Sequence, residues 1–191
     1  MRPIIHLVGV VAALAVASCG QSSFDASESL VGTKRLPPVA ELLRETIQIN
    51  RDTQLAGQSH FLTFELRPDN SMSVTHTLDG YDGSDIVGKE TFQLPPDVAD
   101  RARKTLWRLR PGNLQGVEDL TYPTGCSPPI DSGMEVAVAF FGKSPMQGDI
   151  GIFALPYECK EGQAAVARGA LGKMMQSLPA SKVAAAFPPG A

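Results

Sequence analysis

The residues of this chain that could do chemistry are a carboxylate beside a hydroxyl, in Asp131-Ser132-Gly133, and two further acids, Glu135 and Asp149. Two copies of such a triplet could bring two carboxylates together, so that they share a proton and activate water. The chain contains the triplet once, so this chemistry would require a second copy of the chain. The sequence lacks a Gly-x-Ser-x-Gly elbow, a phosphate-binding loop, a dinucleotide fingerprint and a His-Glu-x-x-His pair. We therefore predict that the chain is not an enzyme, with a hydrolase that uses carboxylates as an alternative.

Histidine and aspartate side chains are the candidates for metal binding. His60 and His76 are expected on one face of a predicted strand pair, where two imidazoles without a third ligand do not make a metal site. Asp79, Asp82 and Asp85 stand at every third position in a Gly-rich loop, where their carboxylates could bind a cation. An EF-hand needs carboxylates at alternating positions, so a solvated turn is the other interpretation. We predict no metal and no cofactor, and leave the cation at this loop open.

The first twenty residues have the pattern of an export signal. Arg2 precedes an apolar run from Ile4 to Ala17, and small residues stand before Cys19. The run is shorter than the roughly 20 residues that a membrane-spanning helix needs. Its last four residues, Val16-Ala17-Ser18-Cys19, resemble the lipobox of bacterial lipoproteins. A cleaved secretory signal with a coincidental cysteine and an anchoring helix are the alternatives.

The resemblance to bacterial lipoproteins implies a mature chain that begins at Cys19 and carries fatty acids, such as palmitate, on its thiol and amine. These acyl chains would hold the protein to a lipid bilayer. Gly20, rather than Asp, follows the cysteine, which implies the inner leaflet of the outer membrane facing the periplasm, with the inner membrane as second choice. The rest of the chain resembles small, uncharacterised envelope lipoproteins, and no characterised family is indicated.

The composition of the mature part argues against some partners and favours a disulfide. Removal of residues 1–18 leaves 16 of the 17 Lys and Arg and all 20 Asp and Glu, so the mature chain is mildly acidic and nucleic acid is not an expected partner. Cys126 and Cys159 are the only cysteines besides Cys19. In an oxidising periplasm we expect an isolated pair to form a disulfide, with a free catalytic cysteine as the alternative.

The hydrophobic pattern predicts a single α+β domain over residues 38–179, between a flexible tether at 19–37 and a loose tail at 180–191. A first helix is expected from Pro38 to Asn50. The other predicted elements are strands near 60–66, 72–78 and 86–94, a helix at 96–110, strands at 134–141 and 149–155, and a helix at 161–178. We expect an antiparallel or mixed sheet of about five strands, two to three helices packed mainly on one face, and one disulfide.

The strand pair between residues 60 and 78 has a predicted register. Pro68 suits the first position of a turn and Asn70 tolerates a left-handed backbone, so Arg67 should lie opposite Ser71 across a three-residue loop. The register then pairs Leu66 with Met72, Phe64 with Val74, and Leu62 with His76. These six side chains share one face, which we expect to be buried.

The helix at 96–110 carries the candidate partner surface. Its predicted buried stripe is Val98, Ala102, Leu106 and Leu109. An exposed Trp107 beside Arg103 and Arg110 would mark a docking site, because Trp and Arg are enriched among residues that dominate binding energy. A solvated charged face is the alternative. In the last helix, Gly162, Gly169 and Gly172 weaken the helix and are expected to let it approach the sheet closely.

Together these features predict a non-catalytic binding or scaffold lipoprotein of the cell envelope, with an envelope protein as its partner. An inhibitor or immunity protein against a periplasmic enzyme is the second hypothesis. The periplasmic hydrolase with catalytic carboxylates is the third.

Overall fold

The computed structural model describes most of the predicted domain. The described residues are 29–31, 43–80, 83–112, 114, 120–129, 132–142 and 150–188. The predicted signal and Cys19, most of the tether, the start of the first predicted helix, and Asp82, Asp131 and Asp149 lie outside them. Within the described residues, no helix has the length and apolar character needed to cross a bilayer.

Seven strands of the described chain form one mixed sheet. They are β1 (Thr46–Leu55), β2 (Gln58–Leu66), β3 (Ser71–Gly80), β4 (Gly83–Gln93), β5 (Leu120–Thr121), β6 (Met134–Phe141) and β7 (Ile150–Pro156). Their order in the sheet is β4-β3-β2-β1-β6-β7-β5. Only β5 and β7 pair in parallel; the other neighbours are antiparallel. The α+β class is confirmed, but the sheet has seven strands rather than about five.

Strand β1 replaces part of a predicted helix. The prediction that the first helix continues to Asn50 is wrong, because Thr46–Leu55 is extended and pairs with both β2 and β6. Ile47 and Ile49 are buried on one face of this strand. Ile47 follows Leu43 by four residues, which fits a helix, but Ile49 follows Ile47 by two, which fits a strand. Pairing with two neighbouring strands decides for the strand. β1 is therefore the link between the two predicted hairpins.

The hairpin of β2 and β3 has the predicted register. The Arg67 amide donates to the Ser71 carbonyl at 2.9 Å, and Asn70 has a φ of 64°. The pairs Leu66–Met72, Phe64–Val74 and Leu62–His76 face each other as predicted. All six side chains are buried, so the turn residues and the apolar alternation together fixed this part of the sheet.

The helices α1 (Pro96–Trp107), α2 (Gly162–Ser177) and α3 (Lys182–Ala185) pack on the face of the sheet that carries these buried side chains. Leu106 of α1 and Met174 of α2 meet Ile49 and Phe64 beneath them. The predicted loose tail differs from the structure, because Ser181–Phe187 lies over β3 and β4. There, Val183 contacts the backbone of Gly88, so closely that a Cβ at Gly88 would lie 3.2 Å from a Val183 methyl group.

The predicted disulfide is present between Cys126 and Cys159, whose Cα atoms are 5.8 Å apart. It joins the segment after β5 to the segment just before α2. The chain-entropy model gives such a crosslink roughly 3–4 kcal/mol of stabilisation, because it restricts the unfolded chain. The crosslink therefore fixes the start of α2 against the end of the sheet that holds β5, β7 and β6.

Candidate functional site

The three residues predicted as a partner surface lie in the interior. Arg103, Trp107 and Arg110 are 2%, 3% and 4% exposed, so the prediction of a docking site at these residues is wrong. The buried stripe of α1 consists of Ala99, Ala102, Arg103, Leu106 and Trp107. This set follows the spacing of one helical face, but it includes Arg103 and Trp107, which are not part of the predicted stripe.

Backbone carbonyls and one carboxylate explain why two arginines are buried. Arg103 donates from Nη1 to the Glu45 carbonyl at 3.0 Å and from Nη2 to the Arg67 carbonyl. The Nε atom of Arg110 lies 3.1 and 3.0 Å from the two carboxylate oxygens of Glu45, and its Nη2 lies 2.5 Å from Oε1. Burial lowers the pKa of Arg103, and the charges of Glu45 and Asp69 oppose this effect. These contacts tie α1 to the ends of β1 and β2 and keep Arg103 and Arg110 out of reach of a partner.

The outward face of α1 instead forms one wall of a groove against α2. This basic groove has a volume of about 560 Å³. Arg101 and Arg108 line it on the α1 side, and Lys173 lines it on the α2 side. Its apolar part comes from five residues of α2: Ala165, Val166, Gly169, Ala170 and Met174. None of the described residues that line the groove is a carboxylate, although Arg101 is paired with Asp97 at 2.7 Å on the same helix.

The helix glycines face outward. Gly169 and Gly172 are exposed, and a Cβ at either position would have no neighbour within 4 Å. The expectation that they bring α2 close to the sheet is therefore wrong; Ala164 and Ala167 occupy the buried face. Each glycine costs the helix up to about 1 kcal/mol relative to alanine, without any packing gain inside the protein. What they provide is open space on neighbouring parts of the α2 surface, each beside a different cavity.

The space beside Gly172 is part of a second cavity, which we call the apolar cleft. It measures about 180 Å³ and lies between α2 and the sheet. Its apolar walls are Ile49, Val136, Leu155, Leu171 and Met175. Three charged side chains complete it: Arg51 from β1, Glu135 from β6 and Arg168 from α2. Arg168 Nε donates to Glu135 Oε2 at 2.7 Å, and Arg168 Nη2 donates to the Cys159 carbonyl at 3.1 Å.

The two predicted strand histidines contact each other. His60 Nδ1 lies 3.0 Å from His76 Nε2, so one imidazole donates a hydrogen bond and the other accepts it. Phe187 packs edge-on against His76, with ring centroids 5.3 Å apart. Burial, and secondarily the charge of His60, lowers the pKa of His76. His76 is thus a core histidine, and the described chain contains no cluster of three His, Cys, Asp or Glu residues that could hold a metal ion.

The carboxylates with a shifted pKa have structural roles. The pKa of Asp69 is lowered mainly by the hydroxyl and amide of Ser71, which close the β2–β3 turn. The pKa of Glu90 is lowered mainly by the Ser181 hydroxyl at 2.6 Å, where Glu90 holds the start of α3. Neither acid has a second carboxylate to share a proton with in these contacts. Among the candidate acids, Glu135 is held by Arg168, while Asp79 lies near Ser84 in the β3–β4 hairpin.

Sequence reasoning did not find either cavity. Each combines residues that are far apart in the chain, such as Arg101 with Lys173 and Arg51 with Arg168. The one local signal was the pair of glycines inside a helix, which cost stability and which packing against the sheet does not explain. Comparison with known proteins does not assign a family: no protein-family model matches the chain, and no curated protein matches it significantly. The basic groove and the apolar cleft are thus the two candidate sites.

Proposed function

We propose that this chain is a membrane-anchored lipoprotein that faces the periplasm and binds a protein partner without catalysing a reaction. Three observations support this. The lipobox-like segment ends at Cys19, which would carry the lipid. The disulfide between Cys126 and Cys159 suits an oxidising compartment. The basic groove offers a concave surface beside exposed apolar area.

The observation that carries the proposal is the character of the basic groove. Arg101, Arg108 and Lys173 surround a floor of small and apolar residues, in a protein that is acidic overall. Val166 at its edge is 46% exposed. A groove of this kind fits an amphipathic helix that places its apolar side on the floor and its acidic side chains beside the three cations. Complementary charge would speed the encounter and select the partner.

The contacts of the candidate catalytic acid favour binding over hydrolysis. Glu135 forms an ion pair with Arg168 at 2.7 Å, and Arg168 also donates to a backbone carbonyl, so the carboxylate is engaged in holding α2 against β6. Glycoside hydrolysis, for example, needs two carboxylates on either side of the scissile bond, and Glu135 is the one carboxylate that lines the cleft within the described part of the chain. A scaffold or an inhibitor of a periplasmic enzyme requires no catalytic carboxylate. The identity of the partner distinguishes these two roles.

Crosslinking in intact envelopes tests the groove. A photo-crosslinker replaces Ser177 at the groove edge, and captured proteins are compared between the parent chain and two altered chains. Lys173→Glu reverses a groove charge, and Gly169→Leu fills the floor in open space. We expect each to reduce capture of the same partner by at least about tenfold. Lys173→Glu places like charges opposite each other across the interface, which costs several kcal/mol. Gly169→Leu fills space that the partner would occupy.

Matched controls separate binding from general damage. Lys160→Glu makes the same charge change at an exposed site outside the groove, and Gly172→Leu places the same side chain on the cleft side of α2. Both should capture as much partner as the parent chain. If groove and control variants behave alike, or if no protein is captured reproducibly, the groove is not the binding site.

The membrane anchor has its own test. Cys19→Ala removes the proposed lipid attachment, so the protein should leave the membrane fraction after detergent-free fractionation. Mass spectrometry of the parent chain should find acyl groups on an N-terminal Cys19. An intact Met1 with no fatty acid would contradict both the anchor and the proposed localisation at the inner leaflet of the outer membrane.

A further inference from the structure

We infer that the apolar cleft is a second binding site, for a small apolar group that ends in a carboxylate. The cleft lies where two strands separate: the pairing of β1 with β6 ends at Asn50–Ala137. The register of β6 against β7 is irregular between Met134 and Val136, at the position of Glu135. These two features open a gap at this end of the sheet, and α2 covers it only partly because Gly172 has no side chain.

The size of the cleft limits the ligand. Its volume of about 180 Å³ is below the roughly 300–1,000 Å³ of sites for drug-sized ligands. A nucleotide or a sugar chain does not fit, whereas one apolar side chain or a short alkyl chain does. The walls contributed by Leu155, Leu171 and Met175 are apolar and suit such a group.

The charges at the cleft select the other end of the ligand. Glu135 and Arg168 neutralise each other in an ion pair. Arg51 forms no ion pair within the described part of the chain, and its side chain is exposed. Arg51 follows Ile49 by two residues on β1, so both side chains project from the same face. An alkyl group against Ile49 would therefore present its carboxylate to the Arg51 guanidinium, which can bind it with two parallel hydrogen bonds.

Two adjacent methionines allow the cleft and the groove to be observed separately. Met175 lines the cleft, whereas Met174 lines the groove. The full chain carrying Cys19→Ala, labelled with ¹³C at the methionine methyl groups, is titrated with hexanoate, and Met175→Leu assigns the Met175 resonance. We expect hexanoate to shift the Met175 signal saturably and more strongly than the Met174 signal, because Met174 is buried against Ile49 and does not line the cleft itself. No saturable shift of Met175 would overturn the inference.

Three comparisons test the chemistry of recognition. Hexanol, which lacks the carboxylate, should bind up to about fivefold more weakly than hexanoate, as should hexanoate to Arg51→Gln, because water screens an ion pair with an exposed guanidinium. Gly172→Leu should abolish binding, and Gly169→Leu, on the groove side, should retain it. Equal binding of hexanol and hexanoate, or unchanged binding of hexanoate to Arg51→Gln, would refute charge recognition. These two results do not depend on whether Gly172→Leu folds.

The source of the carboxylate is resolved in the same assay. A short peptide that ends in leucine with a free carboxylate is compared with its amidated form and with hexanoate. Tighter binding of the free-acid peptide identifies a polypeptide C-terminus as the ligand, and tighter binding of hexanoate identifies a small alkanoate. Both results support the inference, whereas equal binding of the free and amidated peptides, with no binding of hexanoate, would contradict it.

Discussion

Two arginine–glutamate bridges in this protein have similar closest distances and different surroundings. Glu45 and Arg110 are each 5% exposed at the side chain, with a closest contact of 2.5 Å. Glu135 and Arg168 are 23% and 31% exposed, with a contact of 2.7 Å. The first bridge sits where α1 meets the start of β1, and the second forms the wall of the apolar cleft. The same pair of residue types therefore serves the interior in one region and a candidate site in the other.

The difference between the bridges is one of solvent access. Water screens the Glu135–Arg168 pair and can replace either partner, so the pair contributes little to stability. Water cannot reach Glu45 or Arg110 easily, so loss of one partner leaves a buried charge without compensation. Ion-pair distance alone thus does not indicate whether a bridge is structural or available to a ligand; burial does.

Breaking the buried bridge should have the largest effect. Arg110→Gln leaves the Glu45 carboxylate buried without its guanidinium, and we expect it to lower the free energy of unfolding by about 3–5 kcal/mol. Denaturant unfolding followed by circular dichroism measures this. Replacing both partners, with Glu45→Leu and Arg110→Met, should cost less than the single change. A loss below about 1 kcal/mol for Arg110→Gln would show that solvent reaches this bridge.

Removing the disulfide should have the next largest effect on stability. It also tests the exposed bridge, because the Cys159 carbonyl accepts a hydrogen bond from Arg168. Cys126→Ser together with Cys159→Ser should lower the free energy of unfolding by roughly 3–4 kcal/mol. In that background Arg168→Gln should cost less than it does in the parent chain, since the two contacts are coupled. Additive losses would mean that the crosslink does not position the exposed bridge.

Breaking the exposed bridge should have a small effect. Arg168→Gln is expected to lower the free energy of unfolding by less than about 1 kcal/mol, because both side chains are partly solvated. The loss should shrink further between about 0.1 M and about 1 M salt, while the effect of Arg110→Gln should stay constant. Unfolding curves at the two salt concentrations give both values. The contrast between the bridges fails if the two variants respond alike.

Mild acid should have the smallest effect on stability. Neither bridge contains a histidine, so the expected change depends on His76 instead. Burial lowers the pKa of His76, so the unfolded chain binds a proton more readily than the folded protein. Stability should therefore be constant above the usual histidine pKa of about 6.5 and should fall as the pH drops through that value. Thermal unfolding between about pH 5 and pH 8 measures this. The fall should vanish in His76→Gln, and its persistence there would assign it to other groups.

Local sequence rules were sufficient where the signals were local. The β2–β3 hairpin follows from Pro68, Asn70 and the alternation of apolar residues, and its register matches the prediction pair by pair. The β1–β2 hairpin was missed because its two-residue turn is Ala56-Gly57, with φ values of 53° and 80°. Alanine is strained in that conformation, so the sequence carries no Asn-Gly signal at this turn. The neighbouring strand was accordingly assigned to a helix.

The burial of charged residues was the other limit of sequence reasoning. A helical stripe through Ala99, Arg103 and Leu106 is visible only if an arginine is allowed inside, and arginine is almost never fully buried unless it is paired. The partners that permit it are the carbonyls of Glu45 and Arg67, which are distant in the chain. The predicted docking site at Arg103, Trp107 and Arg110 failed for this reason.

By itself, the sequence determined the α+β class, the pairing of β2 with β3, the joining of Cys126 to Cys159 and the positions of the two long helices. Turn residues, alternation and helical spacing act between near neighbours. The disulfide follows from a count of cysteines, because Cys126 and Cys159 are the only ones besides Cys19, which was expected to carry lipid. The tertiary structure alone decided which arginines are buried, where β1 lies, and that Gly169 and Gly172 open onto two different cavities. Burial and concavity arise from the meeting of distant segments, and no local pattern encodes them.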